Sequence, residues 1–196
     1  MTVATDKRLT LTEYLIYDDG SDTRYELVDG VLVEMGAESR VNIQIAIFLL
    51  QCFTKLGLTA NQLGIKEKIQ VISSHASARD PDLIIHSEES TLAIEGRKES
   101  CLFLGEPNPL LVVEIVSPGN ESSENYQRDY VQKPKEYAER GIAEYWIVDP
   151  DRAWVMVGVL VEGAYQFATF QDEQAIVSSA FPVLNWTAAA VLRAGR

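Results

Sequence analysis

Apolar positions along this chain change their period several times, and each change marks an element. Residues 24–35, "RYELVDGVLVEM", alternate on both sides of Asp29-Gly30, and that dipeptide between two apolar runs predicts a β-hairpin. Just before it, "TLTEYLIYDD" has Thr10 followed three residues later by Glu13, the capping-box spacing that opens a short helix. In "SRVNIQIAIFLLQCFTKLG" the spacing becomes helical. Ile43, Ile47, Leu50 and Thr54 share one face, Ala46, Leu49 and Phe53 widen it, and Gly57 supplies the stop. So broad a stripe predicts a helix covered on more than one side.

Strand patterns follow. "IKEKIQVI" alternates, "SSHASARD" reads as a polar loop, and "PDLIIH" is a short buried strand. "LLVVEIVSP" is apolar throughout, as expected of a central strand buried on both faces, and Ser-Pro-Gly-Asn stops it. "SSENYQRDYVQKPKEYAERG" reads as helical up to Gly141, with Pro134 as an internal irregularity. "EYWIVDP", "AWVMVGVLVEG" and "AYQFATF" are successive strands with turns at Asp149-Pro150 and Glu162-Gly163, and Asn185 is placed to cap a last short helix, "WTAAAVLRAG". The order of elements predicts an α/β or α+β fold, a mixed β-sheet with helices packed on it. The strand–helix–strand unit from "LLVVEIV" to "EYWIVD" would be a right-handed crossover if its strands are parallel.

Length and composition narrow the class. The chain has 196 residues and is 46% hydrophobic, the profile of an ordinary globular protein, and one domain over 1–196 is expected. No stretch has the apolar length of a membrane span, and "MTVATDKRLTLTEY" lacks the basic-then-apolar pattern of a signal peptide, so a cytoplasmic location is expected. Cys52 and Cys101 are far apart in apolar settings and match no zinc spacing, which reads as two buried thiols. The net charge of −12 weighs against a protein whose main task is to hold nucleic acid, because phosphate binding draws on Lys and Arg. It leaves room for an enzyme with a local basic groove or a metal-neutralised acidic cleft.

Three acids stand in or beside apolar strands: Glu26 in "YELVDG", Asp82 in "DPDLII" and Glu114 in "VVEIVS". Glu26 fits the outward side of an alternating hairpin, and Asp80 or Asp82 fits the end of a loop before a strand. Glu114 is harder to place, since a buried charge needs a partner or a polar site. Brought together, the three would repel one another and raise each other's pKa unless a cation were present. Hard oxygen ligands with open water positions suit Mg²⁺ or Mn²⁺, although the spacing itself predicts no metal.

The arrangement "RYELVDG … RDPDLII … LLVVEIVSPGN … RDYVQKPKEYAERGIAEYWIVDP" resembles the Uma family, labelled "putative restriction endonuclease" and assigned to the PD-(D/E)XK nuclease superfamily. The similarity runs from about the first helix through Asp149. It implies a restriction-endonuclease-like core with Asp82 and Glu114 as metal ligands, the backbone carbonyl of Ile115 completing the ligation, and Glu26 as a further acid at the same centre. The superfamily lysine two residues after the glutamate is absent here, where Val116 stands. The resemblance offers Lys133 on the following helix instead. Lys135 is the competitor, and Pro134 between them either aims Lys133 at the site or spoils it.

Other polar residues have plainer readings. Arg79 suits a phosphate contact or a structural ion pair equally, and Gln44 carries little weight as a site residue. Ser117 suits a cap and has no evident base, which argues against a serine hydrolase. His75 and His86 resemble metal ligands, but loop polarity and surface exposure account for them more simply. Tyr145, Trp146 and Trp154 are expected to pack within strands rather than to stack bases.

The leading function is therefore a Mg²⁺- or Mn²⁺-dependent endonuclease acting on DNA, with Lys133 orienting water or stabilising charge. A non-catalytic nuclease-like scaffold that binds a protein or nucleic-acid partner comes second, and a two-carboxylate glycosidase last. Self-association is expected, with a homodimer as the default over a higher homo-oligomer. The apolar "AWVMVGVLV" points that way, and so does the resemblance to enzymes that cut both strands.

Overall fold

The computed structural model describes residues 8–21, 23–36, 39–73, 77–117 and 119–194. Its first elements form where local chemistry dictates. Helix α1 (Leu11–Leu15) opens with a complete capping box: the Thr10 hydroxyl accepts the Glu13 N–H, and the Glu13 carboxylate accepts the Thr10 N–H. Strands β1 (Tyr25–Val28) and β2 (Val31–Glu34) pair antiparallel around Asp29 and Gly30. Both turn residues have positive φ, 46° and 78°, as a two-residue hairpin turn that matches strand twist requires.

Helix α2 spans Arg40–Lys55, followed by β3 (Leu63–Gly64), β4 (Lys68–Gln70), β5 (Ala78–Arg79), β6 (Leu83–Ile85), α3 (Glu88–Ile94), β7 (Cys101–Leu102) and β8 (Leu111–Ile115). Then come α4 (Glu124–Tyr126), a π-helical turn (Gln127–Gln132), α5 (Lys133–Arg140), β9 (Glu144–Asp149), β10 (Trp154–Val161), β11 (Ala164–Phe170) and α6 (Ala188–Arg193). The strands form a five-stranded sheet, β2-β1-β5-β4-β7, and a six-stranded sheet, β11-β10-β9-β8-β6-β3. The chain is thus a mixed α/β fold. Interior strand β8 runs antiparallel to β6 and parallel to β9.

Strand alternation divides β8 between two cores. Leu111, Val113 and Ile115 pack with Ile45, Leu49 and Phe53 of α2 and with Val191 of α6. On the opposite face Val112 and Val116 pack with Tyr137 of α5 and with Ile69 and Val71 at β4. Apolar cover on both faces explains why this strand reads as a continuous run. Glu114 has the parity of Val112 and Val116, so it faces α5.

Several expectations need correction. The buried seam of α2 is Asn42, Ile45, Leu49, Cys52 and Phe53, whereas Ile43 and Ile47 are 46% and 48% exposed. Apolar residues encircle this helix, so hydrophobicity could not select its face; a hydrogen bond made by Asn42, described below, accounts for the polar member of the seam. Strand β5 arises within the stretch expected to be loop, and α3 forms on "EESTLAI" with Ser87 as its cap. Helix α6 is capped by Thr187, whose hydroxyl accepts the Ala190 N–H at 3.1 Å, and not by Asn185.

The two sheets meet where the chain passes from β5 to β6 through Asp80-Pro81-Asp82. Arg79, at the end of β5, is buried and makes a two-pronged ion pair with Glu136 of α5 (Nε–Oε2 2.6 Å, Nη2–Oε1 2.9 Å). Its Nη1 also reaches Glu26 of β1 at 3.4 Å. A buried guanidinium in this position ties α5 to the five-stranded sheet and is costly to leave half-paired. Glu136→Ala strands the Arg79 charge, and the expected loss is about 3 kcal/mol of unfolding free energy. Urea denaturation followed by far-UV circular dichroism measures it; an unchanged midpoint would contradict the clamp.

Candidate active site

The site begins with the carboxylate that β8 turns toward α5. Glu114 is buried, and both its oxygens are engaged: Lys133 Nζ donates to Oε2 at 2.7 Å and Tyr137 OH to Oε1 at 2.8 Å. Lys133 and Tyr137 lie four residues apart on α5 and so present one face to the strand. Lys133 also pairs with Asp129 at 2.9 Å, one turn earlier, and Arg128 Nε bonds Asp129 at 2.9 Å.

The backbone that carries these groups is wide-turned. The Lys133 N–H bonds the Arg128 carbonyl, an i→i−5 contact. Continuing that pattern would need an N–H from residue 134 to the Asp129 carbonyl, and Pro134 has none. Tyr145 OH donates to the Asp129 carbonyl instead, at 3.3 Å. Pro134 therefore ends the π turn and begins α5 with Lys133 directed at Glu114. Lys135 points elsewhere: its side chain is 77% exposed and 3.9 Å from Glu139.

Asp82 sits just ahead of β6, and its Oδ2 accepts the Ile115 N–H at 2.7 Å. The Ile115 carbonyl accepts from Asn42 Nδ2 at 3.0 Å, which is the reason a polar residue lies on the buried seam of α2. Glu26, on β1, completes the approach from the other sheet. Glu26, Asp82, Glu114, Ile115 and Lys133 all line one cleft. Its remaining wall includes Arg24, Asp80, Ser117, Arg128 and Asp129.

The electrostatics are those of a closely balanced cluster. Burial pushes the Glu114 carboxyl above its usual range, with Lys133 opposing the shift. Burial works against the charge on Lys133, but Asp129 and Glu114 outweigh it and hold the ammonium pKa above its ordinary value. Asp129 likewise has burial against it, yet Lys133 and Arg128 hold its carboxyl below the usual range.

The candidate donors in the cleft are mainly oxygens, the Asp82 and Glu114 carboxylates and the Ile115 carbonyl, with the Met35 thioether also on the lining. That chemistry fits a hard divalent ion such as Mg²⁺. Among the described residues, no three His, Cys, Asp or Glu side chains are already gathered as a metal cage. Instead the chain's own cations sit on these acids, Lys133 on Glu114, Arg79 on Glu26 and Arg24 on Asp80.

Most of the other candidates fall outside this cleft. Arg79 is a structural ion pair, Gln44 is not among the lining residues, and Val116 packs in the core beside Tyr137. Ser117 does line the cleft, while the next helix is capped by Ser123. His75 lies outside the described residues. His86 is not exposed as expected. It is fully buried, with Nε2 2.7 Å from Glu67 and Nδ1 3.1 Å from Ser90. That Ser–His–Glu chain looks nucleophilic, but Ser90 is itself sealed from solvent. Tyr145 and Trp146 are buried in strands, and Trp154 donates its Nε1–H to Tyr130. Asp129, Arg128, Asn42 and Tyr137 were not anticipated. The 129, 133, 137 spacing of Asp, Lys and Tyr was the available signal, since residues four apart on a helix share a face.

An acidic, lysine-bearing cleft between mixed sheets is the architecture of a nuclease-type α/β fold. The chain belongs to the Uma2 family, described as "Putative restriction endonuclease", whose pattern matches residues 11–190. A solved structure described as a putative nuclease belonging to DUF820, from Anabaena variabilis, is similar at a TM-score of 0.70 with 15% sequence identity. The match covers 96% of this chain and 99% of that one, and it bears on the fold. Comparison with curated proteins gives no match. No helix among the described residues is long and apolar enough to cross a membrane.

Removing Lys133 leaves two buried carboxylates, whereas removing the Glu114 charge leaves Lys133 its Asp129 partner. Lys133→Met is expected to cost about 3 kcal/mol at neutral pH and Glu114→Gln distinctly less. Asp129 has its pKa depressed by folding, so its stabilisation is complete above the ordinary Asp range and disappears as pH falls through the depressed value. The Lys133→Met deficit should therefore shrink in acid. Chemical denaturation of both variants across pH measures this, and a deficit that grows on acidification would contradict it.

Proposed function

We propose that this chain is a metal-dependent endonuclease that hydrolyses DNA phosphodiester bonds. The observation that carries the reading is a buried lysine 2.7 Å from a strand carboxylate, in one cleft with Asp82 and Glu26. In this reading Asp82, Glu114 and the Ile115 carbonyl hold Mg²⁺ or Mn²⁺, and Glu26 is a further acid at the same centre. When bound, the ion supplies Lewis-acid charge and a water of lowered pKa.

The chain's own groups do the positioning. The Ile115 N–H fixes Asp82, and Asn42 fixes the Ile115 carbonyl. Lys133 remains charged between Asp129 and Glu114 and spends two of its three donors there. The third is available to a water or a phosphate oxygen, where charge develops as the bond breaks. Tyr137 restrains the far oxygen of Glu114. A two-fold dimer would bring two such clefts to a duplex, one for each strand.

A second reading, a non-catalytic scaffold, is favoured by the absence of a gathered metal cage among the described residues and by the net charge of −12. One assay separates the two. Purified protein with Mg²⁺ or Mn²⁺ is expected to nick supercoiled plasmid, and chelation should stop it. Asp82→Asn, Glu114→Gln and Lys133→Ala should each lower the rate by roughly 10²-fold or more, while Lys135→Ala should leave it unchanged. Undiminished cleavage by Glu114→Gln overturns the site. No cleavage together with no saturable Mg²⁺ binding by calorimetry selects the scaffold.

A further inference from the structure

Among the described residues, one buried side-chain oxygen is left unsatisfied, and it belongs to a residue of the cleft. The Asp80 side chain is 6% exposed, and its Oδ2 accepts from Arg24 Nη2 at 2.7 Å. Its Oδ1 is buried and has no hydrogen-bond partner. A carboxylate oxygen in that state is unfavourable, because it has lost water and gained nothing in return. Such an atom at a candidate cation site is accounted for by a group that arrives later.

Its position narrows what that group is. Asp80 lines the same cleft as Asp82 and Glu26. Only Pro81 separates it from Asp82, on the passage between the two sheets, so the backbone that fixes one carboxylate also fixes the other. Pro81 restricts this link further by locking its own φ and narrowing the choices of Asp80. Arg24, whose side chain is 41% exposed, holds Oδ2 and leaves Oδ1 as the oxygen still to be matched. A bare carboxylate oxygen beside other oxygen donors suits a hard divalent cation better than an anion or an apolar group.

We propose that Asp80 is a further ligand for the divalent cation of this cleft, offering Oδ1 while Arg24 holds Oδ2. The inference rests on the metal-dependent reading above and extends its ligand set by a residue outside the Asp82–Glu114 pair. Arg24 is then a positioning residue, acting through Asp80.

The test is metal binding without substrate. Mn²⁺ titration followed by electron paramagnetic resonance gives the affinity. Tb³⁺ luminescence lifetimes in H₂O and D₂O give the number of inner-sphere waters. Asp80→Asn is expected to weaken Mn²⁺ binding by roughly tenfold or more and to admit an additional inner-sphere water. Arg24→Gln keeps the carboxylate and should leave the water count at the wild-type value. Asp82→Asn serves as the positive control, and thermal unfolding of the metal-free variants shows that each is folded. Wild-type affinity and water count in Asp80→Asn would overturn the inference while leaving the nuclease reading in place, as would an extra water appearing equally in Arg24→Gln. Failure of the wild-type protein to bind Mn²⁺ would remove the nuclease reading and this inference together.

Discussion

Lys133 is 6% exposed and carries a full charge, a combination that water-free surroundings penalise by several kcal/mol unless it is compensated. Two carboxylates supply the compensation, Glu114 at 2.7 Å and Asp129 at 2.9 Å, and Arg128 balances the excess negative charge at Asp129. The four charges sum to zero, which makes the cluster tolerable in the core. Removing any one unbalances the rest. The strand order places Glu114 on an interior strand, and the face of α5 places Lys133 and Tyr137 over it. The wide turn before α5 brings Asp129 and Arg128 to the same point. This cluster is therefore where the two core-building requirements, strand parity and helix register, must agree.

The same principle runs through the rest of the cleft. Glu26 is joined to Arg79, which is anchored by Glu136, and Asp80 is joined to Arg24. Acid-lined clefts repel themselves, and the fold answers with one internal cation beside each of these acids. This reconciles a net charge of −12 with the phosphodiester substrate proposed for the cleft. Bulk charge opposes long-range attraction of a polyanion, but Arg24, Arg128 and Lys133 line the cleft itself. What the composition argues against is tight, nonspecific retention of nucleic acid, which differs from transient handling at one cleft that carries cations among its acids.

Much of this was legible in the sequence, for reasons that are local. The Thr10/Glu13 box and the Asp29-Gly30 turn are each decided within a few residues, so both form as expected. The acid within "LVVEIV" flagged a site because an apolar strand tolerates such a residue only with a partner. What was not legible depends on distant contacts. The seam of α2 turns on Asn42 reaching the Ile115 carbonyl, 73 residues away, and no helical periodicity encodes that. The two residues of β5 exist as a strand because β1 and β4 flank them; alone they are a polar loop. His86 was misplaced for the same reason, since its buried partners Glu67 and Ser90 are brought to it by tertiary packing.

Carrying the cleft's lysine on a helix rather than on the strand has a mechanical consequence. At position 116 a lysine would take its aim from the sheet ladder, where alternation sends residues 114 and 116 to one face. At position 133 the aim depends on helix register. A regular α-turn advances about 100° per residue, so one residue's slip would swing the ammonium away from Glu114. The i→i−5 bond at Lys133 and the missing donor at Pro134 fix where the wide turn stops, and Tyr145 occupies the carbonyl left open. Pro134, which reads in isolation as a helix breaker between two candidate lysines, therefore defines which of them faces the strand. Lys135, two residues on, is turned to solvent.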